Sequence, residues 1–191
     1  MTLDLHTRDG WPDDLRILVE KYPRDVWRTH ANLGELAQFW LERHADFRRL
    51  GATLDSAAAD LREGRLAHDQ FGPFFAPRLQ LFLGHLEGHH QIEDFSFFPV
   101  FRAADARLAH GFDVLEGDHQ TIHAEMQRVA EATNNMLRMA ESHVDKRRAA
   151  VESYSKASET LLRFLARHLD DEEDLVVPII LEQSERELFG G

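Results

Sequence analysis

Apolar residues recur along most of this chain at alternating spacings of three and four, the period of a helix with one buried face. Pro12 is placed to open a short helix running to about Lys21, and Pro23 punctuates its end. A first long helix carries a stripe at Ala37, Trp40, His44, Phe47, Gly51, Leu54, Ala58 and Leu61. Trp27, His30 and Leu33 extend that stripe backwards, so its start lies between Pro23 and a break at Gly34. The polar, glycine-bearing stretch from Gly64 to Pro73 reads as a loop. A second helix has Leu79, Phe82, His85 or Leu86, His89, Ile92 and Glu93 on its stripe and stops before Pro99. Residues 100–111 read as an irregular connection. A third helix carries Leu115, His119, Ile122, Met126, Val129, Ala132, Met136 and Met139 or Ala140. A fourth carries Val151, Tyr154, Ala157 or Ser158, Leu161, Leu165, His168, Glu172 and Leu175, and ends before Pro178.

Sustained period-two alternation bounded by Asn-Gly or Asp-Gly turns is not found, so the chain reads as all-α. Four helices with short connections pack as an antiparallel up-down-up-down bundle. Residues 1–34 then form a short N-terminal helical arm packing on the bundle, 35–180 the bundle, and 181–191 a tail. Depth along each helix follows from its rise. His44 and His89 stand roughly 22–25 Å from the connection between the first two helices, at matching heights. The turn between the third and fourth helices has two candidate places, Asn134-Asn135 or Ser142 to Asp145. Only the later one puts His119 and His168 at equal depth, roughly 34 Å from that turn. Each stripe thereby brings one His to a common level, toward the end that holds the connection between the second and third helices. His30 lies about 20 Å out of that register.

Composition narrows the chemistry. Lys+Arg minus Asp+Glu is 22 − 34 = −12 over 191 residues, which disfavours nucleic acid and anionic membrane surfaces as partners. No stretch approaches about 18 uninterrupted apolar residues. The first ten residues carry charges without an apolar core and do not read as a secretory signal, so a cytoplasmic location is expected. Zero Cys excludes thiolate zinc sites, iron–sulfur clusters and cysteine nucleophiles. His, by contrast, numbers 12, more than Met, Trp and Tyr together.

Those histidines are patterned. The second helix contains His89-His90-Gln91-Ile92-Glu93 and the fourth His168-Leu169-Asp170-Asp171-Glu172, both His-x-x-x-Glu. The third contains His119-Gln120-Thr121-Ile122-His123, which is His-x-x-x-His. Residues four apart share a helical face about 6 Å apart along the axis, so both members of such a pair can reach one metal or two adjacent ones. With His44, five imidazoles and two carboxylates converge, a nitrogen-and-oxygen set suited to iron, manganese or zinc. Glu173 rivals Glu172, and Ile122 and Met126 compete with His123 for the core-facing direction. His30, His85, His90 and His143 fall to outer positions or solvent, and His6, His68 and His110 to loops. The cluster Phe95, Phe97, Phe98 and Phe101 reads as plain core, with a dry lining that limits water and proton access to a bound ligand as its functional alternative. Asp94, Asp170, Asp171 and Asp174 read as an acidic rim that helps orient imidazoles.

The order His, His-x-x-x-Glu, His-x-x-x-His, His-x-x-x-Glu, with Pro99 and Pro178 after the second and fourth elements, resembles hemerythrin and the wider hemerythrin-like cation-binding (HHE) domains. The resemblance spans roughly Glu35 to Ile180. It implies two non-heme iron ions, with manganese or zinc as substitutes, joined by an oxo or hydroxo bridge in a four-helix bundle. His44 and His89 would bind one ion, His119, His123 and His168 the other, and Glu93 and Glu172 would bridge them. Oxygen-carrying hemerythrins place the last carboxylate, an Asp, five residues after its His; here Glu172 is at +4 and Glu173 at +5. Two six-coordinate ions sharing two carboxylates and one oxygen, with five imidazoles, keep one open position. Binding or sensing of O₂ or NO there is the expected function. The alternatives are a di-iron oxidase, peroxidase or NO-handling enzyme, an iron-homeostasis protein, and a metal-free interaction bundle.

Overall fold

Helix follows helix from Ile17 to Phe189 in the computed structural model, which describes residues 3–190. A 3₁₀ turn at Asp13–Leu15 leads into α1 (Ile17–Lys21), and Pro23 starts α2 (Arg24–Trp27). The long helices are α3 (Glu35–Arg62) and α4 (His68–Ile92). A π-helical stretch, Glu93–Phe97, joins α4 to α5 (Phe98–Ala104). After a 3₁₀ turn at Ala106–Leu108 come α6 (Ala109–Met139), α7 (Val144–Gln183) and α8 (Glu185–Phe189). Among the described residues there is no strand, and no helix is long and apolar enough to cross a membrane. The all-α reading holds, and the turn before α7 falls at the later of its two candidate places.

Several boundaries differ from the proline and glycine signals. α4 begins at His68, inside the expected loop, because Pro73 and Pro77 lie four apart on its exposed face, where the carbonyls they leave unbonded meet water. Residues 100–111 are largely helical rather than irregular, with Pro99 in the first turn of α5, where no N–H is needed. α7 does not end before Pro178. Leu175, Val176, Val177, Ile179 and Ile180 are all fully buried, and burying each contributes on the order of 1.5–3 kcal/mol against about 3 kcal/mol for an interior proline. The helix stops instead at Ser184, which sits at φ 65°.

The chain divides into two compact units. One comprises Met1–Ala45, His89–Gln120 and Ala166–Gly191; the other comprises Asp46–Gly88 and Thr121–Leu165. In the first unit Trp11, Leu15 and Leu18 of the arm share a core with Trp40, Phe98, Phe101, Phe112, Leu115, Leu175 and Ile179. The start of α3 is held there by the C-terminal segment, for the Ala37 N–H donates to Glu185 Oε1 at 2.8 Å. Gly34 leaves the room this needs, since a Cβ at that position would lie 2.3 Å from the Glu185 carboxylate. The second unit is filled by stacked Phe71 and Phe75, by Tyr154 edge-on to Phe75, and by Ile122, Met126 and Val129 from α6. All the residues of the candidate centre lie in the first unit.

Candidate metal centre

α3 contributes His44, α4 His89 and the following π-helical stretch Glu93, while α6 contributes His119 and α7 both His168 and Glu172. Each is on the apolar stripe of its helix, so burying that stripe brings all six inside. His44, His168 and Glu172 are fully buried, Glu93 and His119 nearly so. The imidazoles face each other in pairs. His44 Nε2 lies 3.1 Å from His89 Nε2, and His119 Nε2 lies 3.1 Å from His168 Nε2. The carboxylates span both pairs. Glu93 Oε1 is 2.8 Å from His89 Nε2 and its Oε2 is 3.5 Å from His119 Nε2. Glu172 Oε1 is 3.5 Å from His44 Nε2 and its Oε2 is 3.4 Å from His168 Nε2.

Carboxylates behind the rings orient them. His44 Nδ1 meets Glu173 Oε1 at 3.0 Å, His119 Nδ1 meets Asp94 Oδ1 at 2.8 Å, and His168 Nδ1 meets Asp118 Oδ2 at 3.4 Å. A carboxylate at Nδ1 holds the proton there and turns the Nε2 lone pair inward. Two imidazole nitrogens facing each other at 3.1 Å can share a proton or hold a cation between them. Both Glu93 oxygens and Glu172 Oε2 are buried and make no hydrogen bond. Orphaned buried carboxylate oxygens beside facing imidazoles are the donor set that divalent or trivalent cations satisfy. The residues present therefore fit a metal pair.

Beyond this geometry, the hemerythrin HHE cation-binding domain matches residues 35–180. This chain belongs to that family. No curated protein and no solved structure matches it.

The HHE domain is buttressed by residues outside the matched span. Arg8, in the arm, is buried and donates from Nε to Asp171 Oδ2 at 2.8 Å and from its Nη atoms to Asp118 and the Leu3 carbonyl. Trp11 Nε1 donates to the Asp171 carbonyl at 2.7 Å, and Arg24 Nη1 to Glu173 Oε2 at 2.7 Å. Within the span, Trp40 Nε1 donates to Glu172 Oε1. Phe98 stacks on His119 with centroids 5.6 Å apart, and Phe101 meets Trp40 at 6.0 Å, an apolar lining on one side of the centre.

Burial sets the protonation of the metal-free centre. Desolvation pushes the His89 imidazolium down to about 3, and pushes His90 and His119 down as well. Burial would do the same to His168, but Asp118 and Glu172 overcome it and raise His168 to about 9. Desolvation, with the Glu172 charge added, raises Glu93 well above the usual carboxylate range. Burial alone would raise Glu172 too; His44, His168 and His89 instead hold it below.

Of the seven residues picked from sequence, the structure gathers His44, His89, Glu93, His119, His168 and Glu172. His123 is not among them. Its side chain is 48% exposed, with Nδ1 2.8 Å from Glu87 Oε2 and Nε2 accepting from Gln127. Ile122, wholly buried beside it, has taken the inward direction. His90, expected at an outer position, is buried and belongs with Glu93, His119 and His168 in one group of convergent donor atoms; His44, His89, Glu93 and Glu172 form the other. Glu173 backs His44 rather than facing the carboxylate pair. Phe95 is 82% exposed and outside the core, whereas Phe98 and Phe101 are buried in it. Arg8 and Asp118 were missed. Asp118 adjoins His119 and could have been noticed, whereas nothing in the arm's pattern points to Arg8.

Proposed function

We propose that this domain holds two iron ions and, through them, binds a small diatomic ligand, O₂ or NO. The observation that carries the reading is the placement of Glu93 and Glu172, each with one oxygen toward the His44–His89 pair and the other toward the His119–His168 pair. Carboxylates shared in this way between helices suit a dinuclear centre in an antiparallel up-down-up-down bundle, the arrangement we assign to α3, α4, α6 and α7. Mixed imidazole and carboxylate donors favour iron, with manganese or zinc able to replace it. Iron supplies reversible redox chemistry and affinity for O₂ and NO when bound. The protein's own share is positional: Glu173, Asp94 and Asp118 fix three rings, Trp40 fixes Glu172, and Phe98 with Phe101 limits water beside His119.

The test is optical. Metal-free protein loaded anaerobically with iron(II) should develop ligand-to-metal charge-transfer bands on exposure to O₂ or NO, and should lose them when the gas is removed. Irreversible oxidation with steady O₂ consumption would favour the oxidase reading. An unchanged spectrum with both gases would refute diatomic binding.

A further inference from the structure

We infer that His90, and not His123, supplies the third imidazole to the cation held by His119 and His168. The inference rests on the two-cation reading above and concerns which residue completes it. His90 is 4% exposed, and its Nε2 is buried without a hydrogen-bond partner. Its ring lies parallel to that of His119 with centroids 4.0 Å apart and meets His168 edge-on at 5.4 Å, so one of the two stacked rings must turn for both in-plane lone pairs to meet one cation. One of its nitrogens lies within 4.8 Å of donor atoms of Glu93, His119 and His168. An imidazole nitrogen buried with nothing to bond is costly unless something absent from the protein atoms satisfies it.

Local structure explains how His90 reaches this place. Positions 89 and 90 precede Glu93 by four and three residues, so both flank the face on which Glu93 lies. The π-helical stretch beginning at Glu93 widens the turn there, a distortion common at functional sites. α4 and that stretch thus present three donors in five residues, His89 to one cation, His90 to the other and Glu93 to both. His123 has no comparable unbonded nitrogen. Its Nδ1 faces Glu87 and its Nε2 lone pair is taken by the Gln127 amide, so both nitrogens are satisfied at the surface. The chain keeps five imidazoles at its centre but draws the fifth from a different helix than the His-x-x-x-His motif implies.

The test titrates metal-free protein anaerobically with iron(II) in wild type, His90→Phe, His90→Ala and His123→Ala. Phe keeps an aromatic ring against His119, somewhat larger than imidazole, and removes the nitrogens. His90→Phe should raise the dissociation constant of one of two cations by more than the roughly 10–100-fold that loss of an outer partner causes. Added imidazole should restore that affinity in His90→Ala, which a purely structural role for His90 would not allow. His123→Ala, at an exposed site, should keep two cations at wild-type affinity. Two tightly bound cations in His90→Phe, or loss of one in His123→Ala, overturns the assignment. If both His90 variants fail to fold, the His123→Ala titration still decides, since a lost cation there returns the role to His123 and full retention supports His90. A wild type that binds no iron would defeat the two-cation reading itself, a result distinct from any of these.

Discussion

Arg8 offers the sharpest perturbation, because it lies outside the matched domain and touches no candidate ligand directly. Its guanidinium is buried between Asp118 and Asp171, and Asp118 in turn faces His168 Nδ1. Arg8→Met keeps most of the side-chain volume and deletes the charge. Removing one partner of a buried pair costs about 3–5 kcal/mol, because the other is left uncompensated. Asp171 retains Arg167 at 2.9 and 2.5 Å, so the loss falls mainly on Asp118. That argues for the lower end, about 3 kcal/mol, or a fall in Tm of about 6–12 °C for a chain of this size. Iron affinity should also drop by about 10–100-fold, since Asp118 loses the group that fixes it behind His168. Arg8→Lys should fall between, because an ammonium can meet one carboxylate but not both in the same fork. Thermal melts of metal-free protein, with chelator competition for iron, read both quantities. A Tm within about 2 °C of wild type together with unchanged iron affinity would refute the reasoning.

Two further outcomes follow from the same geometry. Glu172→Ala should lose one or both cations, whereas Glu173→Gln should keep two with an affinity weakened by about 10–100-fold, because Glu173 acts through His44 Nδ1; equal losses, checked by metal analysis, would contradict the division of roles. Metal-free protein should be most stable near pH 6.5. Below that pH the unfolded chain takes up a proton that folded His89 refuses until about 3, and above it the folded state keeps until about 9 a proton on His168 that the unfolded chain releases. Denaturant unfolding across pH checks this, and a maximum above pH 9 would contradict it. Cation binding must expel that His168 proton, so apparent affinity should rise with pH up to about 9, by about tenfold per unit for one proton.

Periodicity made the helices legible, since stripes of three-and-four spacing persist through α3, α4, α6 and α7. Equal depth of His119 and His168 selected the later turn before α7. The same stripes carried six of the seven candidate ligands into one cluster. Failures arose where local rules met packing. Pro178 lies inside α7 because its neighbours are all buried, and Pro73 and Pro77 are tolerated because they face water. His123 sits four residues from His119, yet that spacing leaves it about 40° off the shared face, and Ile122 on the other side has taken the core. His90 needed knowledge of how the helix widens at Glu93, which no hydrophobic pattern encodes. Arg8 depends on a contact across 110 residues of sequence, to Asp118, and local patterns do not extend that far.

The central claim is that Glu93 and Glu172 are shared between two cations. The most direct measurement is an anaerobic iron(II) titration of metal-free protein, followed by oxidation and magnetic characterisation of the loaded form. Two irons per chain, antiferromagnetically coupled after oxidation and reduced to at most one in Glu93→Ala, is the predicted result. One iron per chain, or two that behave as independent paramagnets, would contradict the account.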